Sequence, residues 1–203
     1  MKIKIAILLI CISIFRDSES QVLKINNGIS YSSFTHKNIE ILNSKITSYS
    51  LTLGCEYLKK QYFELSSEIG YIQKGGREHD FIIFDNNNNN IRYINIDEKN
   101  NYLSINTTAR FKYIIYNNYI YIGIGPKIDF LLSDKELIHY DYILDRVSLG
   151  FKSEFGFTQN LNKKINVGLN FTHLGNIGKI AKSEYSNLYN TYYSISFCFG
   201  YVL

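Results

Sequence analysis

Along most of the chain, large apolar residues alternate with small or polar ones at a period of two, the spacing at which side chains point to opposite faces of a strand. The C-terminal stretch is clearest: Tyr193, Ile195, Phe197, Phe199, Tyr201 and Leu203 share one face, and Ser194, Ser196, Cys198, Gly200 and Val202 the other. Seven more stretches repeat the division. Leu23, Ile25, Ile29 and Tyr31 oppose Lys24, Asn26, Gly28 and Ser30, and Tyr49, Leu51, Leu53 and Tyr57 oppose Ser50, Thr52, Gly54 and Glu56. Phe63, Leu65, Ile69 and Tyr71 oppose Glu64, Ser66, Glu68 and Gly70; Leu103, Ile105, Ala109 and Phe111 oppose Ser104, Asn106, Thr108, Arg110 and Lys112. Ile120, Ile122, Ile124 and Ile128 oppose Tyr121, Gly123, Lys127 and Asp129. Val147, Leu149, Phe151, Phe155 and Phe157 oppose Arg146, Ser148, Gly150, Lys152 and Glu154, and Ile165, Val167, Leu169 and Phe171 oppose Asn166, Gly168 and Asn170.

Alternation alone does not separate a soluble barrel from a membrane one, but side-chain volume does. The apolar faces hold far more large side chains than the narrow interior of eight strands can accept, whereas the Gly, Ser, Thr and Asn set fits inside. The apolar set must therefore face outward, which is stable only in lipid. Connections alternate long and short: Thr35–Lys45, Leu58–Tyr62, Lys74–Asn101, Ile114–Asn118, Leu132–Asp145, Thr158–Lys164 and Gly175–Tyr192. Long extracellular loops and short periplasmic turns give that pattern. The predicted fold is all-β, an eight-stranded antiparallel up-and-down transmembrane β-barrel over residues 21–203. Its surroundings are outer-membrane lipid and its location the cell outer membrane.

The N-terminus adds an export signal. Lys2 and Lys4 precede the apolar run Ile5–Phe15, which Arg16 to Glu19 end. That run is too short to span a bilayer and reads as a signal peptide over residues 1–20. High Tyr and Ile content supports strands. The net charge of +4 is modest and spread over many positions, so no basic stripe for nucleic acid is expected. Cys55 and Cys198 have opposite strand parities, so no disulfide is expected between them.

Candidate chemistry is sparse. The inward charges Lys24, Arg110, Lys112, Lys127, Arg146 and Lys152 nearly balance Glu56, Glu64, Glu68, Asp129 and Glu154. Buried ions need partners, so a salt-bridged interior with no open pore is expected. His36, His79, His139 and His173 fall in expected outer loops or at the outer end of the seventh strand, without metal-ligand spacing. Ser133, Asp134, His139 and Asp141 lie close in sequence and keep a surface lipid-modifying or proteolytic enzyme among the readings. Lys74, Gly75 and Gly76 read as a strand-to-loop turn and lack the spacing of a phosphate cradle. Tyr31, Tyr57, Tyr71, Tyr113 and Tyr201 read as interfacial girdles. The longest connection carries Arg77, His79 and Asp80, which makes it the expected recognition loop.

Three segments resemble the PorT-like family of small Gram-negative outer-membrane β-barrels. They are Gly70–Gly76 (GYIQKGG), Tyr102–Tyr113 (YLSINTTARFKY) and Gly123–Ser133 (GIGPKIDFLLS). Asn106 and Thr107 stand where that family often has a proline. The resemblance implies fold and location, and does not carry over the namesake's role in type IX secretion. The resulting expectation is a non-enzymatic structural or surface-interaction barrel without cofactor or metal, meeting an extracellular or envelope protein. An accessory role in envelope transport or protein secretion is the runner-up. Oligomeric state is left open by the sequence.

Overall fold

The structure, a computed structural model, describes residues 21–36, 42–84, 91–133, 143–178, 181–182 and 187–203. The expected signal peptide lies outside them. Eight long strands run in chain order: β1 (Val22–His36), β2 (Ile46–Tyr57), β3 (Phe63–Phe84), β4 (Ile91–Ile115), β5 (Asn118–Ser133), β6 (Val147–Asn160), β7 (Ile165–Asn176) and β8 (Asn187–Val202). Each pairs antiparallel with its successor, and β1 pairs with β8 from Val22↔Val202 to His36↔Leu188, closing the ring. Closure leaves no sheet edge within the wall, so spanning backbone groups can pair without water. No helix occurs among the described residues. Two two-residue strands, Ile143–Leu144 and Ala181–Lys182, pair with each other, and the second also pairs with the start of β8.

The faces fall as side-chain volume requires. Ile122, Leu149 and Leu53 are 60%, 59% and 53% exposed on the outer wall, whereas Glu64, Thr108, Arg110 and Asp129 are fully buried inside. Such an apolar outer surface is suited to hydrocarbon, not to water. Short turns at Leu58–Tyr62, Tyr116–Asn117 and 161–164 mark the inner end, and the longer connections mark the outer end. Tyr57, Tyr113 and Tyr201 stand near the inner end and Tyr31 and Tyr71 near the outer, the two levels where amphipathic rings meet headgroups. Cys55 faces outward and Cys198 inward, and both are free.

Three expectations need correction. The Lys74–Asn101 segment is not a loop: β3 has 22 residues and β4 has 25, and they stay paired out to Phe84↔Ile91. Backbone pairing propagates outward because each added residue pair satisfies further amides and carbonyls. Second, Lys74, Gly75 and Gly76 form strand, not a turn. A Cβ on Gly76 would lie 2.0 Å from the Leu42 carbonyl oxygen, and one on Gly75 1.8 Å from that of Glu98. These glycines let neighbouring backbone approach, including the 42–44 segment, where Ser44 pairs with Arg77. Third, Arg146 has inward parity but is exposed in the bend before β6. Parity applies only along a strand, and β6 begins one residue later.

Candidate functional site

The lumen is filled from its inner end by an ionic cluster centred on Arg110 of β4. Its guanidinium contacts Glu154 through Nε (2.5 Å), Glu56 (2.7 Å), Glu68 (3.2 Å) and Glu64 (3.5 Å). These carboxylates come from β2, β3 and β6, so one planar fork ties together separated parts of the wall. Lys24 reaches Glu56 at 3.1 Å, Lys112 reaches Glu64 at 3.0 Å, and Lys152 bridges Glu68 (2.5 Å) and Glu154 (3.1 Å). Four cations thus face four carboxylates, and Lys59 from the adjoining turn adds a contact to Glu56 at 3.3 Å. Neutral groups complete the cluster: Thr108 donates to Glu154 at 2.8 Å and Asn26 to Glu68 at 3.2 Å, while the Tyr121 ring lies 4.6 Å from the guanidinium.

Further out, Ile72, Tyr102, Leu174 and Tyr192 form a buried apolar collar inside the barrel. Beyond it Lys74 binds Asp129 at 2.5 Å, Lys127 binds the same carboxylate, and Lys127 also donates to Asn176 at 2.6 Å. Lys74 lies 5.0 Å from the Tyr102 ring, so cation and collar are packed as one layer. Between collar and Arg110 a cavity of about 30 Å³ is left, lined by Asn26, Asn106, Asn170 and Ser104 among others. That is room for a water or two, not for a solute.

All the inward charges expected from the sequence, Arg146 excepted, meet in these two layers. Lys74 belongs with them although the sequence placed it in a turn. Its parity with Gly70 and Ile72 was the available signal, hidden by the two glycines that follow. The collar does not show in the sequence pattern, because Ile72 and Leu174 interrupt an otherwise polar inner face and Tyr192 ends the expected connection Gly175–Tyr192.

At the outer end the ladder of β3 and β4 continues past its neighbours. Pairing of β2 with β3 ends at Ser50↔Ile72 and that of β4 with β5 at Asn101↔Ser133, whereas β3 and β4 remain paired to the hairpin tip. The Gln73–Phe84 strand corresponds to roughly 35 to 40 Å of extended chain. Its register shifts between Glu78 and Phe81, so His79 and Asp80 sit in a bulge; His79 is exposed, and the Asp80 side chain lies outside the described residues. Arg77 is engaged in a two-pronged contact with Asp97 (2.5 and 2.7 Å). The hydrogen bonds from Arg77 hold the Asp97 carboxyl below its ordinary value. The hairpin base is anchored by Glu78, which accepts from the Leu42 amide at 2.5 Å.

Among the described residues the histidines do not converge. His79 is on the hairpin, His173 is on the outward face of β7, His139 with Asp134 and Asp141 lies outside the described residues, and the His36 side chain does too. Ser133 instead accepts a hydrogen bond from Asn101 at 2.6 Å. Among the described residues no His, Cys, Asp and Glu group has the arrangement of a metal site.

A closed ring of eight antiparallel strands is shared with solved proteins. The outer membrane protein OprG from Pseudomonas aeruginosa superposes with a TM-score of 0.59 over 90% of this chain and 95% of that one, at 10% identity. The chain has the fold of a small outer-membrane β-barrel. Neisserial surface protein A (NspA) gives a TM-score of 0.54 over 90% and 98% of the two chains, at 9% identity. No family model matches the sequence, and neither does any curated protein. The likeness is therefore one of architecture, in strand number and closure.

Proposed function

We propose that this outer-membrane barrel is a non-enzymatic surface-interaction protein whose lumen is sealed and whose β3–β4 hairpin meets an extracellular or envelope protein. The carrying observation is the length of β3 and β4, 22 and 25 residues against 12 to 16 in the other long strands. A transmembrane strand needs only about 9 to 11 residues, so the excess is not required for spanning. An extended ladder held by a rigid wall suits presentation of residues to a partner. Because Arg77 is occupied by Asp97, the exposed bulge at His79 and the tip beyond it are the better candidates for contact.

The test replaces His79–Asn95 with a short Gly-Ser turn, keeping Glu78 and its bond to Leu42. Trimming changes closure entropy by only about 0.6 kcal/mol per doubling of length, so the barrel should keep its heat-modifiable migration. Binding of the detergent-purified barrel to fractionated envelope and extracellular proteins should fall with the trimmed hairpin. Undiminished binding by the trimmed protein would remove the hairpin from the proposal. The segments that resemble PorT-like barrels support a second reading, an accessory role in envelope transport or secretion; in that case the same binding would track a component of an envelope complex.

A further inference from the structure

The inner end of the barrel carries side-chain charge of one sign. Its short turns expose Lys60, Lys163 and Lys164, while Lys59 is half-buried and ion-paired with Glu56 at 3.3 Å. No Asp or Glu stands in Leu58–Tyr62, Tyr116–Asn117 or 161–164. The carboxylates nearest to these turns, Glu56 and Glu64, are buried and ion-paired within the Arg110 cluster. A lysine-rich composition alone does not produce this, because the outer end mixes signs: Lys45 and Arg146 are exposed there together with Asp97 and Asp145.

The lysines fall on two opposite sides of the ring. Between the β2–β3 turn and the β6–β7 turn lie β3 to β6 one way round, and β7, β8, β1 and β2 the other. Both turns are fixed by hydrogen bonds: the Lys60 amide donates to the Phe63 carbonyl at 2.7 Å, and the Asn162 side chain accepts from the amides of Lys164 and Ile165 at 2.8 Å each. Lysine projects from each beside an apolar side chain, Tyr62 at 61% and Leu161 at 57% exposed. Each turn also adjoins one of the two shortest long strands, β2 and β7, of 12 residues. A strand needs about 9 to 11 residues to cross, so these turns emerge at headgroup level and reach no further. A soluble acidic partner would want one contiguous patch. Cationic turns on opposite sides, each with an apolar neighbour, fit a ligand that surrounds the barrel and joins negative charge to hydrocarbon.

We propose that Lys60 on one side of the barrel, and Lys163 with Lys164 on the other, hold the phosphates of anionic phospholipids in the periplasmic leaflet, independently of whatever the hairpin meets. The ammonium groups donate charge-assisted hydrogen bonds to phosphate oxygens. Tyr62 and Leu161 supply the apolar contact with the start of the acyl chains. A zwitterionic headgroup carries the same phosphate together with a cation of its own, which competes with the lysines. The rim therefore prefers a lipid of net negative charge, of the phosphatidylglycerol class.

The experiment places the folded barrel in phosphatidylethanolamine bilayers with a chain-labelled spin probe, either phosphatidylglycerol or phosphatidylcholine, and compares the motionally restricted fraction of each. Labelled phosphatidylglycerol should associate more strongly with the unaltered barrel, and the excess should shrink as salt rises. Lys60→Gln combined with Lys163→Gln and Lys164→Gln should lower its relative association by up to about fivefold per lysine at low salt, with heat-modifiable migration retained. Lys45→Gln, at the outer end, should leave it unchanged. Equal association of the two probes with the unaltered barrel overturns the proposal without need of a variant. A preference that survives the triple substitution, or one that Lys45→Gln lowers as much, overturns it as well.

Discussion

Arg110 and Leu169 show how the same strand wall imposes opposite demands on its two faces. Leu169 is 47% exposed to what must be lipid; Leu169→Arg should cost about 2 to 4 kcal/mol if it lies near the midplane, whereas Leu169→Phe should be nearly neutral. Folding yield into vesicles, compared for the two variants, measures this, and equal yields would mean that the wall faces are inverted. Arg110 is fully buried among Glu56, Glu64, Glu68 and Glu154. Removing one partner of a buried pair costs about 3 to 5 kcal/mol because the other charge is stranded. Arg110→Met should therefore lower stability by at least that much in urea titrations in micelles, and Lys112→Met, at the edge of the cluster, by less. Similar losses would show that the cluster has no hub. Residue parity was legible in the sequence: the apolar and small positions that alternate through β8 occupy the faces that volume assigns. Arg146 marks the limit of parity, because the sequence does not show where a strand gives way to a bend.

At the scale of elements, the hairpin was the least legible part. Between Lys74 and Asn101 the apolar residues come in runs, Phe81–Phe84 and Tyr93–Ile94, on either side of the asparagines 86–90, so no sustained period of two marks a strand and the segment reads as loop. What sustains it is cross-strand pairing, including Arg77 with Asp97, which a one-dimensional pattern does not expose. That pair has a pH consequence. Asp97 has its folded value depressed by the hydrogen bonds from Arg77, so its contribution is present above the unfolded aspartate value of about 3.9 and is lost as pH falls through the lower folded value. Both side chains are partly exposed, which keeps the contribution small. Hydrogen exchange at the amides flanking Arg77 and Asp97 should therefore become relatively faster on acidification below about pH 4, after correction for intrinsic rates, while wall amides keep their protection. Asp97→Asn should remove that pH dependence. An unchanged acid response in this variant would assign it to other groups.

For the whole molecule, the question is whether an eight-stranded ring with a polar interior conducts. Along the polar interior two layers of different chemistry lie in series: the collar of Ile72, Tyr102, Leu174 and Tyr192, and the cluster around Arg110. An ion passing the collar would lose hydration against apolar walls. At the cluster it would have to displace cations already matched to carboxylates. The two barriers are independent, so opening one should not open the molecule. The folded protein in a planar bilayer should show no steady conductance, and Tyr102→Ala combined with Tyr192→Ala, which removes the aromatic part of the collar, should leave the current at baseline. A stable current in that double variant would locate the seal in the collar alone and reduce Arg110 to a structural tie. A current in the unaltered protein would mean that the lumen opens in the bilayer, and the surface-interaction reading would then have to share the barrel with transport.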